Sequence, residues 1–181
     1  LLVALALAAS IAGLHSLTMG AAGWAALSSL QALALAALFL AVIVLAALSL
    51  LASLRPAARR WVPPQLPIVL LPLGFALIVS ALFPSHAQAH FFSHGIGCLA
   101  GAAMIAALTA AVSFSFSRRG YALDWGLSGA LIGAFSGAVA LLALQLSCPD
   151  HDAAHLLVWH GSAMLASIAA GYLAGRRSTS A

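Results

Sequence analysis

The sequence predicts an all-α fold, namely a polytopic membrane bundle of six transmembrane helices with both chain ends in the cytoplasm. Hydrophobic residues make up 64% of the 181 residues and charged residues only 6%, whereas soluble domains carry about 25% charged residues. Several uncharged stretches exceed the roughly 18 apolar residues that indicate a membrane-spanning helix. The composition excludes a soluble globular protein, and we expect a single integral-membrane domain over residues 1–181.

The first predicted span covers residues 1–14, a run that is too short to cross a bilayer. Because the chain also begins without Met, we expect the start of this helix and a preceding cytosolic segment to be missing. A secretory signal peptide is the competing interpretation, although no basic residues precede the apolar run. Residues 15–24 are predicted to form a short turn.

Five further spans are predicted from the apolar stretches that follow. Proline suits the first turn of a helix, so Pro63 and Pro64 mark the approach to the third span. Pro72 is expected to kink this span unless neighbouring helices satisfy the freed carbonyl. Asp124 lies in the first turn of the fifth span, where the helix dipole stabilises an acid. The predicted ranges are 30–54, 66–83, 95–116, 123–146 and 156–174.

The arginines determine the predicted orientation. All seven basic residues are Arg, and they lie in residues 55–60, 118–119 and 176–177. With six spans these clusters fall on one side of the membrane, and the loops on the other side contain no Arg or Lys. Positively charged loops remain in the cytoplasm, so we expect the arginine side to be cytoplasmic. Short clusters at span ends are a topology signal, and no direct binding of nucleic acid is predicted.

Two short segments carry most of the polar chemistry, and both are predicted to lie on the outer side. The first polar segment, residues 86–98, contains His86, His90, His94 and Cys98. The second polar segment, residues 148–160, contains Cys148, two of the three acidic residues and three of the seven histidines. We expect the two segments to face each other and to form the sensing end of a regulator.

The two cysteines are predicted neighbours, because Cys98 opens the fourth span and Cys148 closes the fifth. An oxidising outer compartment favours a disulfide, provided that the Cα atoms lie within about 7 Å. The alternative is that each thiol is an unrelated buried apolar group. Pro149 and Asp150 follow Cys148 directly, so Cys148 is expected to have polar surroundings. This argues against a buried apolar role and favours pairing of Cys148 with Cys98.

The histidine spacing suggests metal binding. His86, His90 and His94 are four residues apart, as are His151 and His155, so each set would share one face of a helix. These histidines are the candidate ligands, but no complete zinc signature of fixed spacing is present. We therefore predict no metal site and no cofactor.

His160 differs from these histidines, because it lies about one turn inside the sixth span beside Trp159. An ionisable group at this depth normally faces the bundle and has a partner. His160 either hydrogen-bonds to the Cys148 loop or promotes formation of the Cys148 thiolate.

Glycines recur at a spacing of four residues in three of the spans, and such glycines let helix backbones approach closely in a membrane. We favour packing among spans four to six within one chain, and a dimerisation surface is the alternative. The glycines are Gly97 and Gly101, Gly129, Gly133 and Gly137, and Gly171 and Gly175.

The run from Cys148-Pro149-Asp150 to Trp159-His160, in a last helix that closes on Gly-Arg-Arg, resembles the C-terminal signature of the negative regulator of sigma F family. Cys98 at the start of the fourth span agrees with this resemblance. The resemblance implies a six-span anti-sigma factor of the bacterial inner membrane. Such a protein sequesters an extracytoplasmic-function sigma factor and releases it when a periplasmic cysteine pair senses redox or metal stress.

The resemblance also implies roles for particular residues. Cys98 and Cys148 form the sensing pair, with Pro149, Asp150, Trp159 and His160 in support. The expected partners are the lipid bilayer and the sigma factor. Because the cytosolic loops are short, we expect the sigma factor to contact mainly the missing N-terminal segment.

Three other classes of protein share some of these features. A periplasm-facing metal-binding membrane protein is the first alternative. A membrane thiol oxidoreductase would need a Cys-x-x-Cys motif and a second cysteine pair, whereas the chain has two cysteines in all. A transporter would need polar or broken-helix sites at the midplane, where this chain has Ala, Leu and Gly. We therefore predict a regulator and not an enzyme.

Overall fold

The fold is entirely helical in the residues that the computed structural model describes, which are 22–54, 62–86, 91–118, 120 and 124–178. The helices are α1 (Ala22–Ala25), α2 (Ser29–Ser53), α3 (Gln65–Leu82), α4 (Phe91–Ser117), α5 (Trp125–Ser147) and α6 (Ala153–Arg177). Helices α2 to α6 are long and apolar enough to cross a membrane. The predicted all-α class is confirmed, and the predicted first span lies outside the described residues.

Polar residues explain where two of the helices begin. Ser28 caps α2, because its hydroxyl accepts a hydrogen bond from the Gln31 N–H while the Gln31 side chain accepts one from the Ser28 N–H. Asp124 caps α5 by accepting from the Leu127 N–H at 2.9 Å. The structural role predicted for this acid is therefore present. Pro72 lies inside α3, and the kink expected there stays a prediction.

Several boundaries differ from the prediction, and two of them lie in the polar segments. Helix α4 begins at Phe91 rather than near residue 95, so His94 is already helical. Helix α6 begins at Ala153 rather than near residue 156, because Asp152 caps it. A turn was predicted for residues 15–24. Of these, the structure describes residues 22–24, and they belong to the short helix α1 instead.

Helix α5 forms the centre of the bundle and contacts each of the other helices. In its most apolar window of 18 residues, 89% of the residues are buried, against 22% to 44% in the other four spanning helices. Small residues recur along α5, and they let several neighbours approach it at once. The residues at the C-terminal end of α5 are therefore surrounded by other helices.

The glycines of α5 and α6 bring the two helix backbones into direct contact. A Cβ atom on Gly129 would overlap the carbonyl group of Gly171, and one on Gly133 would overlap the backbone of Ser167. The predicted packing within one chain is therefore present for these two helices. Gly97 of α4 does not take part in such a close backbone contact, because an added Cβ would meet nothing within 4 Å.

The two polar segments meet at one end of the bundle, which we call the sulfur end. The His86 N–H donates a hydrogen bond to Asp152 Oδ2 at 2.5 Å, and the Ala153 N–H donates one to the Pro84 carbonyl at 2.9 Å. The Gln31 side chain of α2 reaches the same end, where it donates to a backbone carbonyl at the end of α3. The predicted juxtaposition of the two segments is therefore present.

The described arginines lie at the opposite end, which we call the arginine end. Arg118 follows α4, and Arg176 and Arg177 close α6, so each follows a helix that starts at the sulfur end. At this end Arg176 lies close to Gly126, near the start of α5. Cysteines and described arginines are thus separated along the length of the bundle.

Candidate functional site

Cys98 and Cys148 lie side by side at the sulfur end. Cys98 belongs to α4 and Cys148 is the C-cap residue of α5, so the two helices bring together residues that are 50 positions apart. Their Sγ atoms are 3.2 Å apart, and both cysteines are free thiols. A disulfide has an S–S distance of about 2.05 Å. The structure therefore shows adjacent thiols without a bond between them.

His155 and His160 join the cysteines through a π-helical turn at the start of α6. This turn covers Leu156–His160, and the Gly161 N–H bonds to the Leu156 carbonyl. In a regular α-helix, residues five positions apart point in directions that differ by about 140°, whereas i→i+5 bonding places them on the same face. The rings of His155 and His160 accordingly lie 5.4 Å apart between centroids, and both side chains are 0% exposed.

These four side chains form one group, which we call the thiol–imidazole cluster. One potential ligand atom from each of Cys98, Cys148, His155 and His160 lies within 4.8 Å of the other three. Cys148 Sγ is 3.6 Å from His155 Nε2. Both cysteines and His160 had been predicted as site residues, and His155 had been predicted as a candidate metal ligand. Their assembly into one group was not predicted.

Two further polar side chains contact the imidazole rings from behind. Asp150 Oδ2 lies 3.2 Å from His155 Nδ1, so the other ring nitrogen faces the Cys148 sulfur. The Gln145 amide nitrogen lies 3.4 Å from His160 Nδ1. Gln145 is not among the site residues predicted from the sequence, although an amide in an apolar span is a signal, because polar groups inside a membrane bundle need partners.

Asp152 connects the two polar segments. Its carboxylate accepts hydrogen bonds from the backbone N–H groups of Ala154 and His155, and it also accepts one from the His86 N–H. Burial alone would raise the pKa of the Asp152 carboxyl group, but these backbone N–H groups hold the pKa below its ordinary value. Asp152 therefore stays ionised at neutral pH and fixes the loop that follows Cys148.

The surroundings of Cys148 act on the pKa of its thiol in opposite directions. Its hydrogen bond with Cys98 and its burial raise the pKa of the thiol, and its contacts with His155 and His160 offset the rise only in part. The role of His160 in promoting formation of the Cys148 thiolate stays a prediction.

The other predicted metal candidates lie apart from the cluster. His86 pairs with Asp152 at 3.8 Å and is largely exposed. The His151 ring packs against Phe83, and burial lowers the pKa of His151. His90 lies outside the described residues. His155 is therefore the one described histidine, among the candidates inferred from spacing, that belongs to the cluster.

A cleft of about 390 Å³ opens beside the sulfur atoms. Its lining includes both cysteines together with His94, Gly97 and Pro149. Pro149, predicted as a supporting residue, therefore contributes to the wall of this cleft. The sulfur atoms are reachable through the cleft, whereas the two imidazole rings lie buried behind them.

Trp159 holds the π-helical turn against α4. Its ring lies 5.6 Å from the Phe91 ring and 6.0 Å from the Phe92 ring between centroids. A Cβ atom on Gly95 would overlap the Trp159 ring. The supporting role predicted for Trp159 is therefore one of packing, and it depends on the glycine three residues before Cys98.

The fold and the cluster together define a helical membrane protein with a buried group of thiols and imidazoles at one end. The chain belongs to the negative regulator of sigma F family, whose model matches residues 1–179. The family resemblance seen in the sequence is thereby confirmed. A member of this family is an anti-sigma factor, that is, a regulator whose partner is a sigma factor. No curated protein and no solved structure shows significant similarity to the chain.

Proposed function

We propose that the protein is an anti-sigma factor of the bacterial inner membrane that responds to oxidation of Cys98 and Cys148. In this proposal the sulfur end faces the periplasm and the arginine end faces the cytoplasm. An extracytoplasmic-function sigma factor is held on the cytoplasmic side while the thiols are reduced, and it is released when they are oxidised.

The observation that carries the proposal is the 3.2 Å contact between two free thiols from different helices. Oxidation forms the S–S bond and removes two electrons and two protons from the pair. A hydroperoxide takes up both and is reduced to water and an alcohol as its O–O bond breaks. The sulfur atoms must approach from 3.2 Å to about 2.05 Å, and in this proposal the bond then fixes the position of α4 against the end of α5.

The position of α5 supports transmission of this constraint to the opposite end. Cys148 caps its C-terminal end, and its N-terminal end lies beside Arg176 of α6. A disulfide that closes a loop of 50 residues contributes on the order of 4 kcal/mol. That figure is measured against the unfolded chain; between two folded packings of the bundle, the bond favours the one that brings the sulfur atoms to about 2.05 Å.

The test is co-purification of the full-length protein with its sigma factor before and after treatment with a hydroperoxide. We expect oxidant to release the sigma factor and dithiothreitol to restore binding. The variants Cys98→Ser and Cys148→Ser should retain the sigma factor in oxidant, because neither can form the disulfide.

The variant Ser93→Ala is the matched control, since Ser93 lines the same cleft as Cys98 and Cys148 but cannot form a disulfide. It should release the sigma factor as the unchanged protein does. Normal oxidant-dependent release from the cysteine variants would show that the two cysteines are structural.

A further inference from the structure

The thiol–imidazole cluster has the composition of a metal site, and we infer that it binds a zinc ion through Cys98, Cys148, His155 and His160. Two thiolates and two imidazoles are a donor set of tetrahedral zinc sites. The site goes beyond the proposed thiol switch and does not depend on it. It also departs from the prediction of no metal, which was based on the spacing of histidines within each polar segment.

The distances between the donor atoms agree with zinc coordination. With Zn–S near 2.3 Å and Zn–N near 2.0–2.1 Å, the donors of a tetrahedral site lie about 3.3–3.8 Å apart. Cys148 Sγ is 3.2 Å from Cys98 Sγ and 3.6 Å from His155 Nε2, and all four donors lie within 4.8 Å of one another. Side-chain shifts of roughly 1 Å are enough to bring the donors to these separations.

Each imidazole directs one nitrogen toward the cluster, because the other nitrogen already has a neighbour. Asp150 Oδ2 lies 3.2 Å from His155 Nδ1 without a hydrogen bond between them in this arrangement. A small rotation of either side chain would form one, and a carboxylate so bonded orients zinc-bound histidines. Gln145 lies at His160 Nδ1, which leaves the buried His160 Nε2 without a hydrogen-bond partner. Gln145 Oε1 also lacks a partner. With its amide turned over, that oxygen accepts the Nδ1–H of a zinc-bound His160.

Charge balance favours a divalent ion at this position. Cys148 is 6% exposed and both histidines are 0% exposed, so a net charge would be poorly solvated. Two thiolates neutralise Zn²⁺, whereas a monovalent ion would leave one negative charge uncompensated. The cleft beside the sulfur atoms gives the ion a route to the cluster.

The ligands come from three helices, which explains why no motif in the sequence shows them together. Cys98 belongs to α4, Cys148 caps α5, and the π-helical turn of α6 supplies the two histidines. A zinc ion would therefore tie three helices together at the sulfur end.

The experiment uses the full-length protein in detergent, purified without a polyhistidine tag. Elemental analysis should find one zinc per chain. Co²⁺ should give the ligand-field absorption of a tetrahedral site together with a thiolate charge-transfer band, and added Zn²⁺ should abolish both. These readouts do not involve the sigma factor, so they separate the zinc site from the proposed switch.

Substitutions distinguish the ligands from their surroundings. Asp150→Asn, which acts through His155, should weaken Zn²⁺ binding roughly 10- to 100-fold, and Cys148→Ser and His160→Gln should weaken it further. His94→Ala is the matched control, because His94 lines the cleft and is not a member of the cluster. Its affinity for Zn²⁺ should equal that of the unchanged protein.

The variant His155→Cys separates loss of a ligand from loss of the fold. It exchanges one zinc ligand for another, so it should still bind Zn²⁺ and should show a stronger charge-transfer band with Co²⁺. Absence of zinc binding by the unchanged protein would overturn the assignment. So would unchanged binding by both Cys148→Ser and His160→Gln, or an equal loss in His94→Ala.

Discussion

Two glycines that stand two positions apart in α4 have opposite surroundings. Gly95 lies against the Trp159 ring, whereas a Cβ on Gly97 would meet nothing within 4 Å. We expect Gly95→Ala to displace Trp159 and to lower the free energy of unfolding by about 1–3 kcal/mol, as overpacking does. The measurement is unfolding by denaturing detergent, followed by tryptophan emission.

Gly97→Ala is the control for this prediction. Because alanine favours the helix and meets no neighbour at this position, we expect the free energy of unfolding to stay the same or to rise by less than about 1 kcal/mol. Equal destabilisation by the two substitutions would contradict the contact between Gly95 and Trp159.

Some of the site could be predicted because polar residues are so rare in this chain. Cys98, Cys148 and His160 stand out against an apolar background, and each is at the sulfur end. The pairing of His155 with His160 could not be predicted, because five positions separate two faces of a regular α-helix. Only the π-helical turn at Leu156–His160 brings them together, and no pattern in the residues indicated that turn.

At the scale of helices, the contact between α5 and α6 depends on the absence of side chains. A methyl group on Gly171 would overlap the Gly129 carbonyl. We expect Gly171→Ala to push the two helices apart and to lower the free energy of unfolding by about 1–3 kcal/mol. Thermal unfolding in detergent is the measurement.

Gly161→Ala provides the comparison within the same helix. The nearest atom that its Cβ would meet lies at 3.9 Å, which is an ordinary contact. This variant should unfold at the temperature of the unchanged protein or slightly above it. If Gly171→Ala were equally harmless, the close contact of the two backbones would be wrong.

The helices themselves could be predicted, because long uncharged runs have no other stable arrangement in a bilayer. The starts of α4 and α6 were missed for a common reason. Both first turns contain histidines, which hydropathy assigns to loops. In α6 the cap formed by Asp152 allows the helix to begin earlier than the apolar run.

At the scale of the whole molecule, the oxidation state of Cys98 and Cys148 should change the free energy of unfolding. Oxidation that joins Cys98 to Cys148 closes a loop of 50 residues, and we expect it to raise the free energy of unfolding by on the order of 4 kcal/mol before any strain. Unfolding with and without dithiothreitol measures the difference.

The variant Cys98→Ser should show no such dependence on dithiothreitol. A lower stability of the oxidised protein would mean that the bond distorts the bundle by more than it constrains the unfolded chain. Alkylation of the thiols followed by mass spectrometry reports how many molecules carry the bond in each sample.

The separation of arginines from cysteines could be predicted from the order of the residues, since each span reverses the direction of the chain. The order of the residues does not predict which helices are neighbours in the bundle. Mean hydropathy ranges from 1.4 to 2.9 over the five described spans and does not distinguish α5, which has the same value of 2.0 as α4. The central place of α5 follows from the fit of small residues against several partners at once.

The enclosure of α5 determines how freely the sequence can change. In a library of single substitutions scored by the amount of protein in the membrane, α5 should accept few replacements, because 89% of its apolar window is buried. Helix α3, with 22% buried, should accept most apolar residues. The stretch expected to tolerate the fewest substitutions is then one without a single charged side chain, since volume rather than chemistry limits it.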